Sequence, residues 1–151
     1  MNNYPIEQVV PHSAPMILLN KLVSYDKNSA QCEVTISVHS PFYSETVKGV
    51  PSYIGCEYMA QTIAAFAGAW ANDHGEAVNI GFLIGTRKYK TQQPLFKLND
   101  VLRILVTKLY EEESGLSVFE CSISSNEIVL CEAKINVFQP NDAVQFIRDN
   151  Q

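Results

Sequence analysis

The chain has 151 residues, of which 46% are hydrophobic and 18% are charged, and its formal net charge is −5 at pH 7. This length and composition predict one globular domain, residues 1–151, that buries a hydrophobic core. The acidic balance and the lack of clustered Lys or Arg argue against a nucleic-acid partner, because phosphate binding requires grouped cations.

Targeting, membrane and metal signals are also missing from the sequence. The longest apolar stretch, residues 58–71, is too short and too rich in Ala and Gly to predict a membrane span. The first residues lack the basic and apolar segments of a signal peptide. The four cysteines form no CxxC pair, and no His lies at metal-ligand spacing from other ligands. We therefore predict a cytoplasmic, reduced protein without a metal or cofactor.

The first third of the chain predicts a short helix, a β-hairpin and a loop. Residues 4–10 are compatible with one short helix that ends near Pro11. Residues 16–26 and 30–40 have strand patterns, and the turn-like DKNS between them predicts a hairpin. Residues 41–53, with two prolines and a glycine, are predicted to form a loop. In the second strand four apolar residues alternate with polar ones and predict a buried face: Cys32, Val34, Ile36 and Val38.

The segment GCEYMAQTIAAFAGAW, residues 55–70, predicts a long helix that is apolar around most of its circumference. Large side chains recur at helical spacing at Met59, Ile63, Phe66 and Trp70. A neighbouring face carries small side chains at Ala60, Ala64, Ala67 and Ala71. Such a helix is predicted to be buried, with ANDHGEA as its end.

After the helix the sequence predicts four strands, over residues 80–89, 101–112, 116–124 and 127–138, followed by a short polar tail. The segments EESG and SSNE are typical of tight hairpin turns. One buried helix among these strands predicts an α+β fold, in which a curved antiparallel sheet wraps around the helix.

Glu57 is the one charged residue in the helical segment, and it has two interpretations. It is either a solvated residue in the first turn, favoured by the helix dipole, or an acid held in an apolar site for chemistry. Gln61 lies one turn later on the same side of the helix. Among the histidines, His39 and His74 are interpreted as structural or solvated, whereas His12 is held between two prolines before a strand and is a functional candidate.

Three segments resemble the hot-dog-fold 3-hydroxyacyl-[acyl carrier protein] dehydratases. PHSAPMILLNKLVSYD is similar to the opening of those enzymes, with His12 and Pro15 matching. GCEYMAQTIAAFAG resembles their E-x-M-A-Q helix start at Glu57 and Gln61, and LNDVLRILV resembles one of their strands. The likeness covers nearly the whole chain and is strongest to a divergent branch of predicted dehydratases, some of which accompany aryl-polyene-type pathways.

The resemblance implies that this chain removes water from a 3-hydroxyacyl thioester of acyl carrier protein or coenzyme A, in fatty-acid or polyketide-like biosynthesis. In that family the helix Glu and a loop His form an acid/base pair across a dimer interface. The first backbone N–H groups of the helix stabilise charge on the thioester oxygen. Glu57 is thus expected to be catalytic, Gly55 to permit close approach of substrate, and Gln61 to line the site. A homodimer or a multiple of dimers is expected.

The sequence departs from the family at the loop histidine. The family places it about fourteen residues before the Glu, which falls near Tyr43, but residues 41–53 contain no His. Three explanations are open. His12 could supply the missing group, Tyr43 or another polar group could substitute for it, or a second hot-dog subunit could carry the His. The alternatives to a dehydratase are a non-catalytic acyl-thioester-binding subunit of a hetero-oligomer and a hot-dog thioesterase.

Overall fold

The computed structural model describes residues 1–12, 15–76 and 82–138. It contains a long helix that lies against one face of a six-stranded antiparallel sheet, which confirms the predicted α+β arrangement. The order of the strands in the sheet is β1-β2-β6-β7-β8-β4, and a separate two-stranded sheet pairs β3 with β5. No helix within these residues is long and apolar enough to cross a membrane.

The elements follow one another along the chain with short connections. The helix α1 spans Gly55–Asp73, and two short 3-10 helices span Ile6–Gln8 and Ser52–Ile54. The strands are β1 Lys21–Tyr25, β2 Ser29–Thr35, β3 Gly49–Pro51, β4 Phe82–Thr91, β5 Leu95–Lys97, β6 Val101–Glu111, β7 Leu116–Ser125 and β8 Ile128–Phe138. The prediction of one domain over residues 1–151 extends beyond the described residues and stays a prediction, and the predicted polar tail after Pro140 lies outside them.

The core forms between α1 and the inner face of the large sheet. The helix contacts all six strands of that sheet. Met59, Ile63 and Phe66 are buried as predicted, and so are the inward residues of the central strands, such as Ile104 and Ile123. Each large side chain removed from water contributes about 2 kcal/mol, so this layer is the main stabilising feature of the fold.

The beginning of the chain differs from the sequence-based expectation. The predicted helix over residues 4–10 is reduced to the 3-10 helix Ile6–Gln8. The predicted strand over residues 16–26 begins only at Lys21, because the preceding backbone is bonded to the side chain of Gln61 instead of a neighbouring strand. The next strand ends at Thr35, so Val38 is 53% exposed and its predicted burial is wrong.

The helix is less enclosed than its composition predicts. Trp70 is 46% exposed and stacks on the His74 ring, with 4.0 Å between ring centroids. Ala60, Ala64 and Ala67 are half-buried. The structure confirms a buried helix packed on the sheet. The expected burial is wrong at Trp70, and the strip of small side chains is only half-buried.

The predicted loop over residues 41–53 contains two elements that the sequence did not indicate. Strand β3 pairs with β5, with Val50 opposite Phe96. The 3-10 helix Ser52–Ile54 then leads directly into α1. The amide of Ser52 donates to the carbonyl of Pro94 over 2.9 Å, so this connection is held against the chain that follows β4.

Candidate active site at the beginning of the helix

Glu57 lies in the first turn of α1 with its side chain exposed. The position suits a carboxylate, because the helix dipole favours negative charge there. Gln61, one turn later, points its Nε2 at the Glu57 Oε1 over 3.5 Å, which is a weak contact. In the isolated chain Glu57 is thus an accessible acid at the beginning of a buried helix.

Gln61 connects the helix to the segment that follows His12. Its side chain is 1% exposed. Its Oε1 accepts from the amide of Leu18 over 2.9 Å, and its Nε2 donates to the carbonyl of Met16 over 2.8 Å. Both hydrogen-bonding functions of the amide are used, so the role that the structure gives Gln61 is to hold this backbone beside Glu57. A contact of Gln61 with substrate stays a prediction.

His12 is half-buried just before that backbone segment. Its Nδ1 is shielded from solvent and has no hydrogen-bond partner among residues 1–12, 15–76 and 82–138. A shielded polar nitrogen without a partner is costly, and functional sites are a common place for one. His12 therefore remains a candidate for the missing base, and a working pair with Glu57 stays a prediction.

Tyr43 occupies the region where the resemblance places the family's histidine. Its ring packs partly against the core, and its hydroxyl is shielded from solvent without a hydrogen bond of ordinary geometry to the described residues. Burial, followed by the nearby Glu45 carboxylate, raises the pKa of Tyr43. The phenol is thus neutral at physiological pH and suited to donate a hydrogen bond, although its contact with substrate stays a prediction.

Gly55 is required by the packing of the protein itself. Its N–H donates to the carbonyl of Ser52, and a Cβ at this position would overlap the hydroxyl of Tyr89. The same Cβ would also lie 3.0 Å from Ile123 Cδ1. The Gly55 amide is therefore engaged within the chain. The predicted close approach of substrate at Gly55 stays a prediction.

Two residues that the sequence analysis did not single out lie beneath this end of the helix. Tyr89 from β4 donates its hydroxyl hydrogen bond to the Ser52 carbonyl, and its oxygen lies 3.3 Å from Cys131 Sγ. Cys56, beside Glu57, is half-buried, and burial raises the pKa of its thiol. The contacts of Tyr89 depend on a bulge in β4, so no local pattern could have indicated them. Within the described residues no group of three His, Cys, Asp or Glu is placed to hold a metal ion.

Comparison with known proteins identifies the family. The ApeP-like family, described as ApeP dehydratase, matches residues 4–148. The 3-hydroxyacyl-[acyl-carrier-protein] dehydratase FabZ of Chlamydia trachomatis serovar L2 is 30% identical over 130 residues, which cover 82% of this chain and 83% of that protein.

Solved structures agree with the sequence comparison. A chain of the dehydratase heterocomplex ApeI:P from Xenorhabdus doucetiae is 31% identical with a TM-score of 0.89, covering 99% of this chain and 100% of that one. A hypothetical thioesterase with coenzyme A from Streptococcus pneumoniae TIGR4 has a TM-score of 0.62 at 12% identity, covers 79% of this chain and 84% of its own, and shares the fold alone. These neighbours confirm the hot-dog fold, and the chain belongs to the ApeP-like family of dehydratases.

Proposed function

We propose that this chain supplies the carboxylate of Glu57 to a 3-hydroxyacyl-thioester dehydratase site whose histidine comes from a second hot-dog subunit. One observation carries the proposal. Glu57 stands exposed at the start of the buried helix, whereas the loop of residues 41–53 that precedes it contains no His. An accessible Glu57 without a histidine in the preceding loop indicates that this chain provides one of the two residues of an acid/base pair.

The chemistry requires two groups that exchange protons. A base removes the proton from the carbon next to the thioester carbonyl, a double bond forms between that carbon and the next, and the hydroxyl group leaves with a proton as water. Glu57 performs one of these transfers and the histidine performs the other. The first turn of α1 favours the negative charge that develops on the thioester oxygen.

Three features support a second subunit. Tyr53, two residues before Gly55, is 70% exposed, so a large aromatic side chain beside the beginning of α1 is available for contact with a partner. Strand β4 has only β8 as a neighbour among the described strands, and open sheet edges favour pairing. A relative at 31% identity is part of a complex named as a dehydratase heterocomplex. We propose that the partner covers this end of the helix, with two sheets joined edge to edge.

The proposal extends to the cellular setting. The substrate is a thioester of acyl carrier protein or of coenzyme A, and the reaction belongs to fatty-acid or polyketide-like biosynthesis in the cytoplasm. FabZ of Chlamydia trachomatis, named for an acyl-carrier-protein substrate, supports the first part. A homodimer that uses His12 is the competing arrangement, supported by the shielded and unpartnered Nδ1 of that residue in the described structure.

The test measures formation of the enoyl thioester by the purified chain, alone and mixed with a hot-dog protein encoded beside it. The parent is compared with Glu57→Gln, with His12→Ala, and with Glu113→Gln as a control at an exposed hairpin position. We expect activity only in the mixture, a loss of about 10²–10⁴-fold in Glu57→Gln, and no change in His12→Ala.

Each other outcome identifies a different function. Robust activity of the parent alone that disappears in His12→Ala would overturn the partner-supplied histidine in favour of the local pair. Activity of the mixture that is indifferent to Glu57→Gln, together with retained acyl-thioester binding, would identify a non-catalytic binding subunit. Release of free thiol without an enoyl product would identify a thioesterase.

A further inference from the structure

The hydroxyl of Tyr89 meets the first residues of α1 at two points. It donates a hydrogen bond to the Ser52 carbonyl, the same carbonyl that accepts from the Gly55 N–H. It also lies so close to Gly55 that a Cβ at that residue would clash with it. One phenolic oxygen therefore fixes both the end of the 3-10 helix and the beginning of the helix that carries Glu57.

The backbone of β4 is adapted to bring Tyr89 there. Lys88 has a φ of +54°, a backbone conformation that costs free energy for any residue other than Gly. The register of β4 against β8 also shifts between Arg87 and Lys90, which marks a β-bulge. Bulges of this kind redirect a side chain. The result is an inward tyrosine between exposed Lys88 and Lys90.

Among the described residues, the Tyr89 hydroxyl has two hydrogen-bond contacts, the Ser52 carbonyl and the Cys131 sulfur. Besides Ser52, it lies 3.3 Å from Cys131 Sγ, which itself lies 3.6 Å from Thr91 Oγ1. Burial is the main reason that the pKa of Tyr89 is raised, so the phenol stays neutral and acts as a donor. A phenylalanine would fill the apolar part of this space equally well, and the core therefore does not explain the hydroxyl.

We propose that Tyr89 is a positioning residue for the proposed dehydratase site: its hydroxyl sets where the first turn of α1 begins and hence where the Glu57 carboxylate stands. The inference rests on the proposed function of Glu57. A displacement of the reacting group by about 1 Å can reduce the rate up to about 100-fold. Loss of a hydrogen bond that fixes the backbone close to Glu57 can therefore lower kcat.

The kinetic test uses the active mixture and the variants Tyr89→Phe, Gly55→Ala and the double variant, with Tyr110→Phe as a control at an exposed tyrosine of β6. We expect Tyr89→Phe to lower kcat about tenfold or more while KM is nearly unchanged. Gly55→Ala should lower kcat further, because its methyl group meets the hydroxyl. The kcat of the double variant should be higher than that of Gly55→Ala, because removal of the Tyr89 hydroxyl relieves the closest clash with the new methyl group.

The pH dependence separates positioning from chemistry. If Tyr89 acts through Glu57, Tyr89→Phe keeps both limbs of the profile of kcat against pH and lowers the whole curve. The disappearance of one limb would make Tyr89 a proton donor in its own right and would overturn the proposal. Unchanged kcat in Tyr89→Phe, or strictly additive losses in the double variant, would overturn it as well.

A second measurement does not depend on activity. Hydrogen–deuterium exchange of the chain alone should be faster in Tyr89→Phe for the peptide over residues 49–63, while the β1–β2 hairpin over residues 21–35, at the other edge of the sheet, exchanges as in the parent. If residues 49–63 exchange at the same rate in Tyr89→Phe and in the parent, Tyr89 does not hold the beginning of α1 and the proposal is overturned. If the parent mixture shows no dehydration but residues 49–63 exchange faster in Tyr89→Phe, the dehydratase proposal fails and the positioning of the helix by Tyr89 stands.

Discussion

The side-chain oxygen of Gln61 accepts a hydrogen bond from the backbone amide of Leu18 over 2.9 Å, inside the protein and 43 residues apart in sequence. The partner bond, from Gln61 Nε2 to the carbonyl of Met16, closes a two-point attachment. This attachment holds the segment that follows His12 against the helix that carries Glu57. One buried amide thus links the two candidate acid/base residues through the backbone.

Replacement of Gln61 by Met should destabilise the protein by about 1–3 kcal/mol, because it leaves the buried N–H of Leu18 and the partly buried carbonyl of Met16 without these partners. Urea unfolding monitored by tryptophan fluorescence measures the effect. The matched control is Gln31→Met in β2, a half-buried glutamine on the other face of that strand from Cys32. Equal stability of the Gln61 variant and the parent would show that the attachment contributes little.

Phe66→Ala should destabilise the fold by about 3–5 kcal/mol. Phe66 is 6% exposed and meets the Phe119 ring edge-on at 5.7 Å between centroids, so truncation leaves a cavity between helix and sheet. Trp70→Ala on the same helix is the comparison, with an expected cost of about 1 kcal/mol or less because nearly half of Trp70 is exposed. A loss below about 1 kcal/mol for Phe66→Ala would contradict its placement in the core.

The contrast between Phe66 and Trp70 illustrates what the sequence can predict. Helical spacing groups both residues with Met59 on one stripe, and the structure confirms the helix and most of its buried face. Spacing cannot tell where the sheet beneath the helix stops, so the exposure of Trp70 was not predictable. Period-2 alternation likewise predicted the inward face of β2 correctly at Cys32 and Val34.

Non-local pairing explains the remaining differences. Val38 was expected on the same face, but the backbone at Ile36 pairs with Asn99 and Asp100, and the chain then turns between Ser37 and Ser40. Strands β3 and β5 have three residues each and lie more than forty positions apart. Such short partners carry no periodic signal of their own. The Glu57 candidate came from a motif, whereas the contacts of Tyr89 exist only once β4 is folded.

Asp73, the last residue of α1, should make stability depend on pH at the acid end. Its carboxylate accepts from the Tyr4 hydroxyl at 2.6 Å, from Asn2 and from Tyr25, and these bonds, led by that of Tyr4, lower its pKa. A group with a lowered folded pKa stabilises the protein above its unfolded pKa of about 4 and loses that contribution as pH falls through the folded value.

The measurement is the melting temperature of parent and Asp73→Asn between pH 2 and 7. The variant should melt lower at neutral pH, and the difference should shrink as the pH falls below about 4. Glu113→Gln serves as the control, with a curve parallel to that of the parent. A difference between Asp73→Asn and the parent that stays constant over this range would show that the charge on Asp73 is irrelevant to the cluster.

The turn between β7 and β8 should be improved by Glu127→Gly. Asn126 and Glu127 have φ values of +52° and +66°, the left-handed pair that a two-residue hairpin of this type requires. Asn tolerates this region, whereas Glu is strained there. Gly at position 127 should raise stability by up to about 1 kcal/mol, and Asn126→Gly should gain less. A lower melting temperature for Glu127→Gly than for the parent would contradict the assigned turn.

Cys56 offers a direct probe of whether a partner covers the candidate site. Of the four cysteines, Cys32, Cys121 and Cys131 are buried, and Cys56 beside Glu57 is half-buried. Burial raises the pKa of Cys56, and it raises that of Cys32 and of Cys121 to about 12. Because the thiolate is the reactive form, iodoacetamide should modify the native chain slowly, at Cys56 alone, and faster as the pH rises.

The same reaction in the active mixture tests the proposed assembly. A hot-dog partner that seats over the start of α1 should protect Cys56, while Cys56→Ser should remove the labelling of the free chain. Peptide mass mapping identifies the modified residue in each case. Equal rates with and without the partner would place the partner elsewhere on the molecule, and labelling of Cys121 or Cys131 in the native chain would contradict the closed core between helix and sheet.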